Sequence, residues 1–414
     1  VRRKNVENIT FLDPACGSGH FLIEAFDLFY RMYEAEGKYT DPETICKKIL
    51  SRNLYGIDID ERAVQIARAA LWMKAAERVF DFSGTPKNII ATNIRLPKGK
   101  DHLKAFLAKH PEDAPLQLAL ETIFEGLAHA DELGSLLQIE EPVERELRHL
   151  RERLSGQTTL STGGLTGQTS FAGKMTDEDW EAWKDGVIER LADHFTAEAE
   201  AADLVNAFFS QNAGKGVRLF ELLSKRYDVV AANPPYMGSG NMNEIGKNYI
   251  GHYYPQGKRD IYAAFILRIL TLCKIYGKIS MVTPHSWMFL QSYNSLRAST
   301  KETFHGLLLD TSIEAIAHLG ANAFHAGPKG FDYGITMFVL AMGKPRNDFN
   351  TTIFRLTGLD SPKKKDKFLN KVTVQNLCNS FRLKQQLFTE LPNCSMSYWL
   401  TPNMFEIIKK GIII

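Results

Sequence analysis

Over the first 95 positions the apolar residues alternate between short continuous runs and stretches of helical period. Asn8 to Asp13 is a short apolar run ending in a glycine-rich turn, which predicts a strand. Gly19 to Tyr33 repeats apolar residues at helical spacing: Phe21, Leu22, Ala25, Phe26, Phe29 and Tyr30. Leu54 to Asp58 predicts a second strand. Glu61 to Val79 predicts a second helix, with Val64, Ile66, Ala67, Ala70, Leu71 and Met73 recurring at three and four. Asn88 to Ala91 predicts a third strand. This alternation belongs to a parallel, doubly wound α/β sheet.

The alternation stops near Pro97. From residue 97 to 225 the pattern is helical and charged, as in Glu140 to Leu154, with a Gly/Ser/Thr-rich connector from Ser155 to Lys174 and a new helix start at Thr176. So long a stretch is no loop, and it predicts a helical insertion. The α/β pattern resumes with a strand at Tyr227 to Ala232 and a helix at Asp260 to Ile275. Then come a strand at Lys278 to Thr283, a helix at Ser292 to Phe304, and strands at Ile313 to Leu319 and Gly334 to Met342. Beyond residue 345 the signal weakens. A turn with a basic cluster is expected at Ser361 to Lys367. The expected division is therefore 1–96, 97–225 (insertion), 226–345, and 346–414 as the start of a C-terminal linker or further region.

Composition narrows this picture. The 414 residues are 44% hydrophobic and 24% charged, which excludes overall disorder. No apolar run approaches the ~18 residues that span a bilayer. Cys16, Cys46, Cys273, Cys378 and Cys394 are scattered without metal-ligand spacing. They predict no disulfide framework, no metal site and a reducing cytoplasm. Fifty basic against 48 acidic residues leave +2, which permits a nucleic-acid partner without requiring one. The first residue, Val1, and the abrupt Ile412-Ile413-Ile414 ending predict a piece of a longer polypeptide.

Four constellations carry candidate chemistry. Asp13-Pro14-Ala15-Cys16-Gly17-Ser18-Gly19-His20-Phe21 follows the first strand. It reads either as a tight strand-to-helix turn or as one that brings backbone N–H groups to a ligand. It is neither a GxGxxG fingerprint nor a P-loop, so a pyrophosphate ligand is disfavoured. Cys16 reads as a small packed residue. Gly56-Ile57-Asp58-Ile59-Asp60 closes the second strand. There Asp58 suits ribose hydroxyls and Asp60 suits a helix N-cap. Ala91-Thr92-Asn93 closes the third, where an amide can read an adenine. Finally, Tyr227 to Ala232 delivers Asn233-Pro234-Pro235-Tyr236. The prolines remove backbone donors. The Asn233 side-chain oxygen and the Pro234 carbonyl can then both accept from one planar, conjugated amino group, with Tyr236 offering a flat face.

In this order DPACGSG, GIDID and NPPY resemble the S-adenosylmethionine-dependent N6-adenine DNA methyltransferases. Asn233 to Asn243 and Ser286-Trp287-Met288-Phe289-Leu290 resemble, within them, the PglX-type methyltransferases of BREX phage-defence systems. The resemblance covers residues 8–95 and 226–342. It implies a Rossmann-like class I methyltransferase fold and S-adenosylmethionine as cofactor. It also implies methyl transfer to a flipped adenine of double-stranded DNA, for self-marking in phage defence or restriction-modification alongside other defence-system proteins. Asp13 and the Gly17–Gly19 turn would hold the methionine part, Asp58 the ribose and Asn93 the adenine, with Ala15, Phe21 and Ile59 completing the cofactor contacts. Asn233 and Pro234 would grip the target amino group, within an Asn233, Pro234, Pro235, Tyr236 catalytic set. The base would stack between Tyr236 and Phe324, with Phe331 as the second choice for the latter; either Phe reads equally as core. The resemblance implies, too, an upstream Thr-Pro-containing cofactor cover, expected to lie before this sequence, and a mostly downstream target-recognition domain, of which residues 346–414 are expected to hold at most the start.

Other features stay open on the sequence. Lys363, Lys364, Lys365 and Lys367 read as phosphate contacts or as a solvated loop. Tyr249, Tyr253, Tyr254, Lys258 and Arg259 read as a DNA cleft or as ordinary packing. Rival activities are glutamine N5 methylation of protein, methylation of RNA adenine, and a non-catalytic DNA- or partner-binding subunit.

Overall fold

The computed structural model describes residues 4–94, 107–108, 117–155, 193, 204–299, 304–324, 334–371 and 380–409. The chain forms two compact units. One joins Val1–Pro14 to Arg226–Ile414, and the other is Ala15–Lys225.

The first unit is built on β1 (Phe11–Asp13), β4 (Tyr227–Ala232), β5 (Cys273–Pro284), β6 (Thr311–Gly320), β7 (Ile335–Met342), β8 (Asn350–Arg355) and β9 (Ser380–Lys384). Their order is β1-β4-β5-β7-β6-β8-β9. The β1/β4, β4/β5 and β6/β8 pairs are parallel, whereas β5/β7, β7/β6 and β8/β9 are antiparallel. The sheet is therefore mixed, its described strands pairing in both senses. The chain leaves β6 at Gly320 and re-enters at Ile335, without a crossover helix among the described residues. It returns in the opposite sense, and β7 slots between β5 and β6.

The helix after Asp260 forms as Ile261–Leu272, apolar nearly all round and buried on almost every side, as a helix inside an α/β layer should be. Trp287, fully buried, packs edge-on against Phe338 of β7 at 5.1 Å. Its indole N–H donates to Thr283 Oγ1 at 3.1 Å. The helix expected over Ser292 to Phe304 is reduced to Asn294–Arg297. It ends where Ala298 turns extended (φ −154°). Arg297, the last residue of this helix, has no exposed surface. Its guanidinium donates to the carbonyls of Trp287 (2.6 Å), Asn393 (2.7 Å) and Cys394 (3.0 Å), tying the C-terminal segment into this unit.

The basic turn expected at Ser361 to Lys367 is also corrected. Pro362–Leu369 is a helix with proline in its first turn. Lys363, Lys364 and Lys367 face solvent, but Lys365 is buried and donates to the carbonyls of Ala321 and Asn322.

The second unit holds β2 (Leu54–Asp58) and β3 (Ile89–Ala91), paired in parallel with Gly56 opposite Ile89 and Asp58 opposite Ala91. Its helices are α1 (His20–Glu36), α2 (Pro42–Lys48), α3 (Glu61–Ala76), α4 (Gln117–Gly126), α5 (Glu140–Ser155) and α6 (Leu204–Ser224). Leu22, Phe26 and Tyr33 of α1 and Ala67, Leu71 and Ala75 of α3 are buried, as the helical spacing requires. Leu120 and Ile123 of α4, Val143 and Leu147 of α5, and Val217 and Phe220 of α6 form the core of the expected insertion. Those residues share one compact unit with α1, β2, α3 and β3. The connector after Ser155 and the helix start at Thr176 lie outside the described residues. Among the described residues, no helix is long and apolar enough to cross a membrane, and no group of three His, Cys, Asp or Glu could hold a metal.

Candidate active site

In the second unit the glycine turn is fixed by short backbone bonds. Cys16 N–H donates to the Ile57 carbonyl (3.0 Å), and Gly19 N–H to the Cys16 carbonyl (2.8 Å). Gly17 and Gly19 take φ of +49° and +89°. A Cβ at Gly19 would lie 2.9 Å from Ala67 Cβ, so glycine here sets how closely α1 approaches α3. A Cβ at Gly17 would meet nothing within 4 Å, which leaves open space on that face of the turn. Cys16 is buried, its sulfur 3.2 Å from where a Cβ on Gly56 would sit.

Asp58 binds this turn to the end of β2. One carboxylate oxygen accepts from Gly17 N–H (2.7 Å) and the other from Asp60 N–H (2.9 Å). Each oxygen has a second lone pair for a ribose hydroxyl. Asp60 caps α3, accepting from Arg62 N–H at 2.9 Å. Ile59 exposes 51% of its surface. It lies beside Gly134, where a Cβ would sit 2.7 Å from its Cγ2. Ala15 and Phe21 are half-buried.

Asn93, also half-buried, follows β3. Its amide N–H donates to Glu61 Oε2 at 2.6 Å. Its Oδ1 is buried and has no hydrogen-bond partner. Glu61 Oε1 accepts from Lys215 Nζ of α6 at 3.0 Å. The bonds from Lys215 and Asn93 outweigh partial burial and hold the Glu61 carboxyl below its ordinary range.

Asp13 and the NPPY residues belong to the first unit. Asp13 ends β1 and is buried. Beyond β4, Asn233 and Pro235 are exposed, Pro234 is buried and Tyr236 is half-buried. The Tyr236 hydroxyl lies 3.1 Å from Asn233 Oδ1 and 3.2 Å from the Val282 carbonyl, sharing its proton between the two acceptors. Burial pushes this phenol up to about 12, so it stays a donor at neutral pH.

The motif's loop is stapled to the helix that follows, α8 (Ile261–Leu272), itself preceded by α7 (Glu244–Tyr253). Met237 N–H donates to Asp260 Oδ1 (3.0 Å), Ile261 N–H to the Met237 carbonyl (3.1 Å), and Ser239 N–H to the Arg259 carbonyl (2.9 Å). Asp260 also caps α8 through Tyr262 N–H. Tyr262 stands edge-on to Tyr236 with centroids 6.3 Å apart, and its hydroxyl bonds Ser286 Oγ at 2.7 Å. Sequence reasoning passed over Asp260, Tyr262 and Ser286 as supports. An acid immediately before an apolar helical run was the available signal for Asp260.

Phe324 follows β6 and is 50% exposed, which removes the core alternative for it. Phe331 lies outside the described residues. Tyr254 is buried, whereas Tyr253, Lys258 and Arg259 are exposed.

A chain of three side chains crosses the ends of β5 and β6. His285 Nδ1 meets His318 Nε2 at 2.7 Å, and His318 Nδ1 meets the Tyr398 hydroxyl at 2.8 Å. Burial first, then His285, Arg355 and Lys365, bring His318 down to about 4. Burial lowers His285 as well. No sequence spacing links residues 285, 318 and 398.

Comparison with known proteins fits this layout. Residues 52–324 match the family model described as Eco57I restriction-modification methylase, and residues 2–100 match the MmeI DNA-methyltransferase domain. The chain is 32% identical to the adenine-specific methyltransferase PglX of Lacticaseibacillus casei (strain Zhang), covering 99% of this chain and 30% of that protein. It is 28% identical to the adenine-specific methyltransferase BrxX of Escherichia coli O9:H4 (strain HS), covering 95% of this chain and 30% of that protein. It thus spans 30% of the length of these curated relatives. Among solved structures, a nuclease-deletion mutant of the Type ISP restriction-modification enzyme LlaGI with a DNA substrate mimic aligns with a TM-score of 0.48 at 13% identity. That alignment covers 96% of this chain and 25% of the other. With a family model matched over more than half of its residues, the chain belongs to the Eco57I restriction-modification methylase family.

Proposed function

We propose that this chain is the methyltransferase part of an enzyme that moves a methyl group from S-adenosylmethionine to the N6 amino group of an adenine flipped out of double-stranded DNA. The carrying observation is Asn233, its amide oxygen held by the Tyr236 hydroxyl, beside Pro234 at the end of β4. The Rossmann-like class I methyltransferase reading of this mixed α/β fold goes with it. So do a cytoplasmic location, a role in self-marking for defence, other defence proteins as partners, and the division at residues 96, 225 and 345.

The residues fit the cofactor on two observations. Asn93 Oδ1 is a buried acceptor without a donor, and the face above Gly17 is open where any side chain would fill it. Asp58 would hold the ribose and Asn93 the adenine, while Asp13, Ala15, the Gly17–Gly19 turn, Phe21 and Ile59 would enclose the rest. When bound, S-adenosylmethionine supplies an electrophilic sulfonium methyl.

The chain's own contribution is positioning and electrostatics. Adenine N6 is a poor nucleophile because its lone pair is delocalised into the ring. Asn233 Oδ1 keeps one lone pair after accepting from Tyr236, and the Pro234 carbonyl is the second acceptor. Hydrogen bonds from both amino hydrogens favour a pyramidal nitrogen and localise its lone pair. Tyr236 and the exposed Phe324 would stack on the flipped base, which cannot be reached inside a duplex.

The test is methyl transfer from labelled S-adenosylmethionine to unmethylated duplex DNA, followed by nucleoside analysis. N6-methyladenine is expected with the parent chain, and at least about a hundredfold less with Asn233→Ala. Label on protein in place of DNA, or equal product from the variant, would overturn the reading.

A further inference from the structure

We propose that Glu61, itself held by Lys215 from the insertion, orients the Asn93 amide so that its Oδ1 selects a 6-amino over a 6-oxo purine in the cofactor. The proposal rests on the cofactor reading above and deepens it. It also gives the 97–225 segment a part in the site.

A carboxamide is two-faced. Rotating it by half a turn exchanges an acceptor for a donor with almost no change in shape. An Asn at an adenine pocket therefore discriminates only if something fixes which face it shows. Here Glu61 does so. Its Oε2 lies 2.6 Å from Asn93 Nδ2, and an ionised carboxylate only accepts. The NH2 must face Glu61, and the oxygen must face away. That oxygen is buried and has no partner, an arrangement that costs free energy until a donor arrives. An exocyclic amino group is such a donor, whereas a 6-oxo group sets oxygen against oxygen.

Glu61 can serve only while ionised. Its other oxygen accepts from Lys215 Nζ at 3.0 Å. Glu61 also opens α3, where the helix dipole favours a negative charge. Lys215 lies on α6, more than 150 positions along the chain from Glu61, in a segment with no motif of its own. Glu61 and Lys215 are thus positioning residues acting through Asn93.

Calorimetry with S-adenosylhomocysteine and its deaminated counterpart, S-inosylhomocysteine, tests this without turnover. The 414-residue chain should bind the amino form at least about tenfold more tightly. Glu61→Ala frees the amide to turn its NH2 to the 6-oxo group, and the preference should shrink to within about threefold. Lys215→Met should give an intermediate loss. Glu61→Ala combined with Asn93→Asp should restore the preference, because a carboxylate is an acceptor from either side; a purely structural role for Glu61 would not produce that rescue. Retention of the parent's preference in Glu61→Ala, or failure of the double variant to regain it, would overturn the proposal and leave the cofactor reading standing. Failure of the parent chain to bind either compound would overturn both.

Discussion

At the residue scale, the Tyr236 hydroxyl holds Asn233 Oδ1 within one turn. Asn233 and Tyr236 are four-letter neighbours, so their 3.1 Å bond was within reach of the sequence. Tyr236→Phe keeps the ring and removes the donor from Asn233 Oδ1 and the Val282 carbonyl. The expected outcome is a fall of roughly tenfold in kcat with the KM for DNA little changed, and a stability loss of about 1 kcal/mol in urea unfolding. Asp58 joins residues 17, 58 and 60 through two carboxylate oxygens. Asp58→Ala should therefore lose cofactor binding and about 1–3 kcal/mol of stability, measured by calorimetry and urea titration. That Asp58 would fix the glycine turn was not legible, because the pairing spans 41 positions. The roles of Glu61 and Lys215 were invisible for the same reason, their bond spanning 154 positions. Each acts through a partner that only the fold brings near.

At the element scale, prediction was best where a buried strand or an amphipathic helix imposed its own period. Leu54–Asp58 and Tyr227–Ala232 form as expected, and α1 and α3 begin within a residue of their expected starts. It was weakest toward the sheet's far edge. Asn350–Arg355 and Ser380–Lys384 mix polar and charged residues into short strands, the composition of strands near an edge. Among the described residues the helix expected over residues 292–304 forms only as Asn294–Arg297, and Arg297 at its end donates to three carbonyls outside it. Arg297→Met should cost at least about 3 kcal/mol by denaturant unfolding, since it orphans buried acceptors.

Asp228 ties β4 to the start of the chain by bonds to Lys274 Nζ (2.8 Å), Lys4 Nζ and Thr10 N–H (3.1 Å). Burial alone would raise its carboxyl, but these partners outweigh burial and bring it down to about 2. A depressed folded-state value stabilises above the unfolded value of about 4 and is lost as pH falls toward 2. Asp228→Asn should therefore destabilise by up to about 2 kcal/mol at pH 7, with the gap to the parent closing between about pH 4 and pH 2 in pH-resolved thermal melts.

At the scale of the whole molecule, the chain leaves its first unit at Pro14 and returns at Arg226. The resumption of α/β alternation at Tyr227 lies beside the return at Arg226, whereas no change of pattern marks the departure at Pro14. What lay beyond sequence reasoning was that α6 lends Lys215 to Glu61, since helix-forming charge patterns look alike whether they face water or a site. Residues 15–93, most of the set proposed to hold the cofactor, and the NPPY residues, proposed to grip the target base, belong to separately compact units. Asn233→Ala should accordingly bind S-adenosylhomocysteine within about twofold of the parent while losing methyl transfer. Calorimetry beside the labelled-methyl assay reads both.

The His285–His318–Tyr398 chain has a spectroscopic consequence. With His318 near 4 and His285 also lowered, both rings are neutral at pH 7. Each ring then holds one proton, and the 2.7 and 2.8 Å separations leave only two self-consistent orders of donors, running in opposite directions along the chain. Nitrogen-15 labelling of the imidazoles distinguishes these tautomers, so the direction can be read in solution.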